Sequence, residues 1–168
     1  MYSAKFFPLE ELKVKIEAER QTHKTVALAN GGFDLIHIGH TRYLQAAKEV
    51  ADILVVALNS DASLRQLKGE HRPIIDEEGR IKIISSLACV DYVTLFDELT
   101  VDRVLLTLKP DFHCKGSDYT PETVPERETV RSYGGRIAIV GGQKVRSTSE
   151  ILKTIKGQGA GQKNGENI

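Results

Sequence analysis

The run Ile53-Leu54-Val55-Val56-Ala57-Leu58 constrains the fold more than any other part of the sequence, because it offers no polar face at all. It is far shorter than the roughly 20 residues needed to span a bilayer. It also lacks the alternation of a strand with one wet face. It therefore reads as the central strand of a parallel sheet, apolar on both sides, and such a sheet needs helices above and below. The rest of the chain is patterned to supply them. Residues 25–29 form a second apolar strand that stops at the turn signal Asn30-Gly31-Gly32. Leu9, Leu12 and Ile16 recur at helical spacing and predict a helix over 9–21. Further helices are predicted over 37–50, 76–89 (capped by Asp76), 101–108, 120–135 and 147–156, and further strands over 92–96, 110–115 and 136–140. Residues 60–75 are polar and basic and read as a functional loop with one helical turn. Alternating strands and helices predict an open parallel five-stranded sheet with helices on both faces. One domain over 1–156 is expected, with 1–23 as a helical extension and 157–168 as a disordered tail.

Charge narrows the partners. The chain carries 23 basic and 23 acidic side chains, whereas nonspecific nucleic-acid binding usually needs a basic excess. With no membrane-length apolar run and no signal-like apolar segment near the start, a cytoplasmic protein is expected. Cys89 and Cys114 lie far apart without metal-ligand spacing and read as core thiols.

Open parallel sheets bind ligands outside the carboxyl ends of their strands, near the point where strand order reverses. That rule puts residues 30–40, 59–72, 115–120 and 142–149 along one rim. The first of these is Asn30-Gly31-Gly32-Phe33-Asp34-Leu35-Ile36-His37-Ile38-Gly39-His40. It fits neither the phosphate loop ending in Gly-Lys-Ser/Thr nor the spaced-glycine dinucleotide fingerprint. Its mark is two histidines three apart around a glycine at a helix start, so both imidazoles can reach one ligand. The helix N-terminus adds free N–H groups and the positive dipole end, and Gly39 leaves room for a phosphate. A polyphosphate site is the expectation. A zinc site would need third and fourth ligands that are missing nearby.

The segment Gly31-Gly32-Phe33-Asp34-Leu35-Ile36-His37-Ile38-Gly39-His40 resembles the signature of the cytidylyltransferase-like nucleotidyltransferases, which have a Rossmann-like fold of the HxGH type. Leu58-Asn59-Ser60-Asp61-Ala62-Ser63, Leu67-Lys68-Gly69-Glu70-His71-Arg72-Pro73-Ile74 and Lys115-Gly116-Ser117-Asp118-Tyr119-Thr120 are similar to the D-glycero-β-D-manno-heptose 1-phosphate adenylyltransferase family, which makes ADP-heptose for lipopolysaccharide cores. The resemblance implies that His37 and His40 bind the triphosphate of ATP and stabilise charge as the α-phosphate is attacked. It implies that Asn30, Gly31, Gly32, Phe33 and Gly39 meet the nucleotide, and that Asp34 orients substrate or a magnesium ion. Arg146-Ser147-Thr148-Ser149 would open the last helix toward phosphates. Lys115 would act beside the acceptor, with Asn59, Lys68, Arg72, Arg80, Asp118 and Tyr119 around the sugar phosphate. Arg80 has a solvated helix face as its alternative, and Tyr119 a role as loop cover. A homodimer is expected.

Such chemistry asks little of a general base. A sugar phosphate is already ionised at neutral pH, and the difficulty is holding two polyanions together while stabilising the transition state. A glycerol 3-phosphate cytidylyltransferase and a catalytically silent nucleotide-binding module remain the alternatives.

Overall fold

The computed structural model describes residues 3–142. The elements run α1 (Leu9–Arg20), β1 (Val26–Gly31), α2 (Ile38–Glu49), β2 (Ile53–Asn59), α3 (Asp61–Lys68), α4 (Glu77–Ser85), β3 (Tyr92–Phe96), α5 (Asp102–Leu108), β4 (Phe112–Lys115), α6 (Arg127–Ser132) and β5 (Arg136–Ile139). All strand pairs are parallel and the order is β3-β2-β1-β4-β5. The chain winds outward from β1 to β3 and then returns to the other side of β1 for β4. The reversal therefore falls between β1 and β4, which opens a crevice at their carboxyl ends.

Every residue of β2 is buried, as its composition demanded. Alternate residues of β1 and β2 divide between two cores. Val26, Leu28, Val55 and Ala57 pack with Leu12 and Ile16 of α1 and with Val104, Leu105 and Leu108 of α5. On the opposite face Ala27, Ala29, Leu54, Val56 and Leu58 pack with Leu44 and Ala47 of α2 and with Ile81 and Ile84 of α4. The N-terminal helix is thus part of the core and covers one face of the sheet. Cys114 is buried in the second cluster and Cys89 packs against it, both as free thiols.

Two segments differ from their sequence prediction. Residues 60–75 contain α3, an eight-residue helix capped by Ser60, whose Oγ accepts from Ser63 N at 3.2 Å. The polar composition that suggested a loop belongs to a helix lying along the rim, where only Leu64 and Ser63 are buried. In the other segment, the helix expected from residue 120 begins only at Arg127. Before it, Thr123 Oγ1 accepts from Thr120 N at 2.8 Å, and Pro125 lacks the N–H a helix would need. The turn folds Glu126 back under the crevice. No described helix is long and apolar enough to cross a membrane.

Candidate active site

The crevice at the reversal point is a cleft of about 480 Å³. Its lining includes Asn30, Gly31, Gly32, Phe33, Asp34, His37, Gly39 and His40 from the first glycine-rich segment. Asn59 and Lys68 line it from the second strand's side, and Lys115, Asp118 and Tyr119 from the β4 side. The sequence-predicted residues of the described chain therefore converge, apart from Arg72 and Arg80. Arg146, Ser147, Thr148 and Ser149 lie outside the described residues.

His37 is the N-cap of α2, with extended backbone, and its Nδ1 accepts from Gly39 N at 3.1 Å. That bond leaves the proton of a neutral ring on Nε2. Helical spacing predicts both histidines on one helix face, whereas His37 stands just outside the helix. The outcome is the same: the two rings stack with centroids 3.9 Å apart. Burial, then the neighbouring His37 and Lys68, push His40 down to about 4, so it is neutral at physiological pH. The pair faces the cleft beside a helix N-terminus, with capacity to gain positive charge when an anion arrives. Phe33 supports them: it adopts φ +46°, is buried, and sets its ring 5.2 Å from His40 and 6.4 Å from Tyr43. A Cβ at Gly31 would meet the Phe33 ring at 3.1 Å, which explains a residue without a side chain there.

Across the crevice, Lys115 Nζ is 3.1 Å from Asn30 Oδ1 and 3.2 Å from Glu126 Oε2. Register explains the first contact, since Ala29 of β1 pairs with Cys114 of β4 and brings the next residues side by side. The ammonium also lies 5.4 Å from the centroid of the Tyr119 ring, which is partly exposed at the mouth. Glu126 and Tyr43 were missed by the sequence reading. Tyr43 follows His40 by three residues and so shares its helix face, a legible signal. Glu126 gave none, since its position depends on the turn before α6.

Three of the expected site residues have partners within the protein itself. Asp34 was expected to orient substrate or magnesium. Its Oδ1 instead accepts from Ile74 N at 2.8 Å and Ile75 N at 2.9 Å, while Oδ2 pairs with Arg72 Nε at 2.7 Å. Oδ1 ties down the loop after α3 by hydrogen bonds, and Oδ2 meets Arg72 as an ion pair. Arg72, expected at the acceptor, is the partner in that pair. Arg80, expected either at the acceptor or on a solvated face, is fully buried. Its guanidinium donates to Ile75 O (3.1 Å), to Gly32 O and Asn59 O (both 2.7 Å), and to Asp61 Oδ1 (2.8 Å). It binds the ends of β1 and β2 to α3 and the following loop. Asn59 likewise uses its side-chain amide on Ser63 Oγ at 3.0 Å.

With Arg72 and Arg80 so engaged, Lys68 is the cation of this side that lines the cleft, and it forms no ion pair among the described residues. Burial, and then Arg72, lower its pKa from the usual lysine range. An anionic ligand would offset both effects by its own attraction. Among the described residues no group of three His, Cys, Asp or Glu side chains could hold a metal ion. A magnesium ion held by three such side chains therefore has no site among the described residues.

The fold, the crevice and the stacked histidines define a nucleotide-handling class, and comparison with known proteins agrees. Residues 28–157 match the cytidylyltransferase-like family, and the chain belongs to it. It is 48% identical over 154 residues to the bifunctional protein HldE of Syntrophotalea carbinolica, a match covering 92% of this chain and 31% of that protein. With HldE of Geobacter metallireducens it shares 51% over 152 residues, 90% of this chain and 31% of the relative. The chain thus spans about a third of the length of these curated relatives. Among solved structures, a lipopolysaccharide core biosynthesis protein from Thermoplasma volcanium is 32% identical with a TM-score of 0.60, covering 73% of this chain and 99% of that one. Pantothenate synthetase from Thermus thermophilus, 18% identical with a TM-score of 0.59 over 85% of this chain and 63% of its own, shares the fold.

Proposed function

We propose that this chain is an adenylyltransferase that transfers AMP from ATP to a heptose 1-phosphate, giving ADP-heptose and pyrophosphate. The observation that carries the reading is the stacked His37–His40 pair at the start of α2, facing the same cleft as Lys115. In the reaction an ionised phosphate oxygen of the sugar attacks the α-phosphorus of ATP. A bond to that oxygen forms, the bond from the α-phosphorus to its bridging oxygen breaks, and pyrophosphate leaves with the electron pair. No proton need be removed from the nucleophile. The chain's contribution is positioning and fixed positive potential.

His37 and His40 donate to phosphate oxygens as negative charge shifts toward the leaving group. The N–H groups at the start of α2 and the Lys68 ammonium add to the same field. Lys115 meets the acceptor's phosphate, and Tyr119 lies against the sugar. Magnesium enters bound to the incoming ATP in this reading, since no three described side chains form a site for it on their own. Membership of the cytidylyltransferase-like family supports nucleotidyl transfer, and the similarity to HldE and to a lipopolysaccharide core biosynthesis protein supports a heptose acceptor. The same reading has the protein cytoplasmic, where ATP is made, and dimeric; a sedimentation-equilibrium mass equal to one chain would refute the dimer.

Pyrophosphate release should be scored with ATP or CTP against heptose 1-phosphate or glycerol 3-phosphate. ATP with heptose 1-phosphate is expected to be the best pair. A preference for CTP with glycerol 3-phosphate, or tight ATP binding with no release for any acceptor, would overturn the assignment.

A further inference from the structure

Beneath the cleft lies a buried polar group that phosphate chemistry does not call for. His113, in the middle of β4, has no exposed surface, and its Nε2 lies 3.1 Å from Asn30 Oδ1. Lys115 Nζ lies 3.1 Å from the same atom. A lysine ammonium can only donate, so the Asn30 atom it touches is the carbonyl oxygen. His113 Nε2 must then carry a hydrogen. With two donors on Oδ1, the amide has one orientation, with its NH₂ turned away from both. Asn30 lines the cleft, and among the described residues nothing accepts from its Nδ2.

We propose that His113 is a positioning residue: by donating from Nε2 to Asn30 Oδ1, it holds the Asn30 NH₂ toward the cleft as a donor to an oxygen of the bound polyphosphate. The inference rests on the nucleotidyl-transfer reading above. His113 Nδ1 is buried without a partner, so the imidazole is costly where it sits. A leucine would fill the strand's interior without that cost. Desolvation, followed by the nearby Lys115, keeps the ring neutral, down to about 3, which suits a donor fixed in one tautomer. Without His113 the amide would be held by Lys115 alone, and that ammonium is shared with Glu126.

The experiment has two arms. Nitrogen-15 NMR of the wild-type chain reads the tautomer directly. Nε2–H is expected, and an Nδ1–H ring overturns the proposal even if no variant folds. Calorimetric titration with ATP then compares wild type, H113L and H113Q, each checked for a wild-type-like melt. Loss of one neutral hydrogen bond predicts that H113L binds about 3- to 10-fold more weakly. H113Q, whose amide nitrogen can stand in for Nε2, should restore most of the affinity. Equal affinity of H113L and wild type, or H113Q falling as far as H113L, overturns the positioning role. A wild-type chain that binds no ATP overturns the nucleotidyl-transfer reading, and with it the polyphosphate as partner of Asn30. Wild-type binding with an unchanged H113L defeats the positioning role alone.

Discussion

At the scale of single residues, the site depends on which cations the fold leaves at the cleft. Arg72 is tied to Asp34 and Arg80 to Asp61, whereas Lys68 and Lys115 line the cleft. Arg80→Leu should therefore behave as a core mutation. It leaves the Gly32 and Asn59 carbonyls and the Asp61 carboxylate without their donor, at a cost of about 3–5 kcal/mol, as in other broken buried ion pairs. Urea unfolding checks this, and near-wild-type stability would mean that Arg80 contributes through a ligand instead. Lys115→Ala makes the opposite prediction, raising the KM for heptose 1-phosphate more than that for ATP. An equal rise in both would move Lys115 into the nucleotide subsite. The sequence marked Lys68, Arg72, Arg80 and Lys115 alike and could not show which of the four line the cleft. Which arginine finds a buried carboxylate depends on how α3 and α4 pack against the ends of β1 and β2.

At the scale of elements, the glycine-rich segment and α3 are coupled through Asp34. Its carboxylate accepts from two consecutive amides of the loop that follows α3. In Asp34→Ala, hydrogen exchange at Ile74 and Ile75 should accelerate about tenfold or more, while amides of β1 keep their protection. Unchanged exchange with abolished turnover would restore Asp34 to a direct role with substrate or metal. The sheet itself was legible, because β2 is apolar throughout and the strand-helix alternation leaves few topologies. Helix α3 was not, because its apolar face rests on two leucines, Leu64 and Leu67, within eight residues, too short a stretch to stand out from a polar loop. The start of α6 was misread for a related reason: the Thr120–Thr123 turn and Pro125 decide it locally, against a composition that permits helix.

At the scale of the whole molecule, acid should loosen the fold before carboxylates titrate. His40 and His113 are held down to about 4 and about 3, against 6.5 for an ordinary histidine. Below pH 6.5 the unfolded chain takes up protons that the folded chain refuses, so stability is full above that value and falls as pH drops toward 4. The urea midpoint should decrease from pH 7 to 5.5 in wild type and decrease less in H113L. A flat profile would mean that the two rings are solvated. The histidine stack at the mouth of α2 is the centre of the account, and turnover of ATP and heptose 1-phosphate by H37A and H40A tests it most directly. Pyrophosphate release should fall by on the order of 10²-fold in each variant with melting unchanged, as when a preorganised donor is removed. Near-normal turnover in both would contradict the proposed role of the pair.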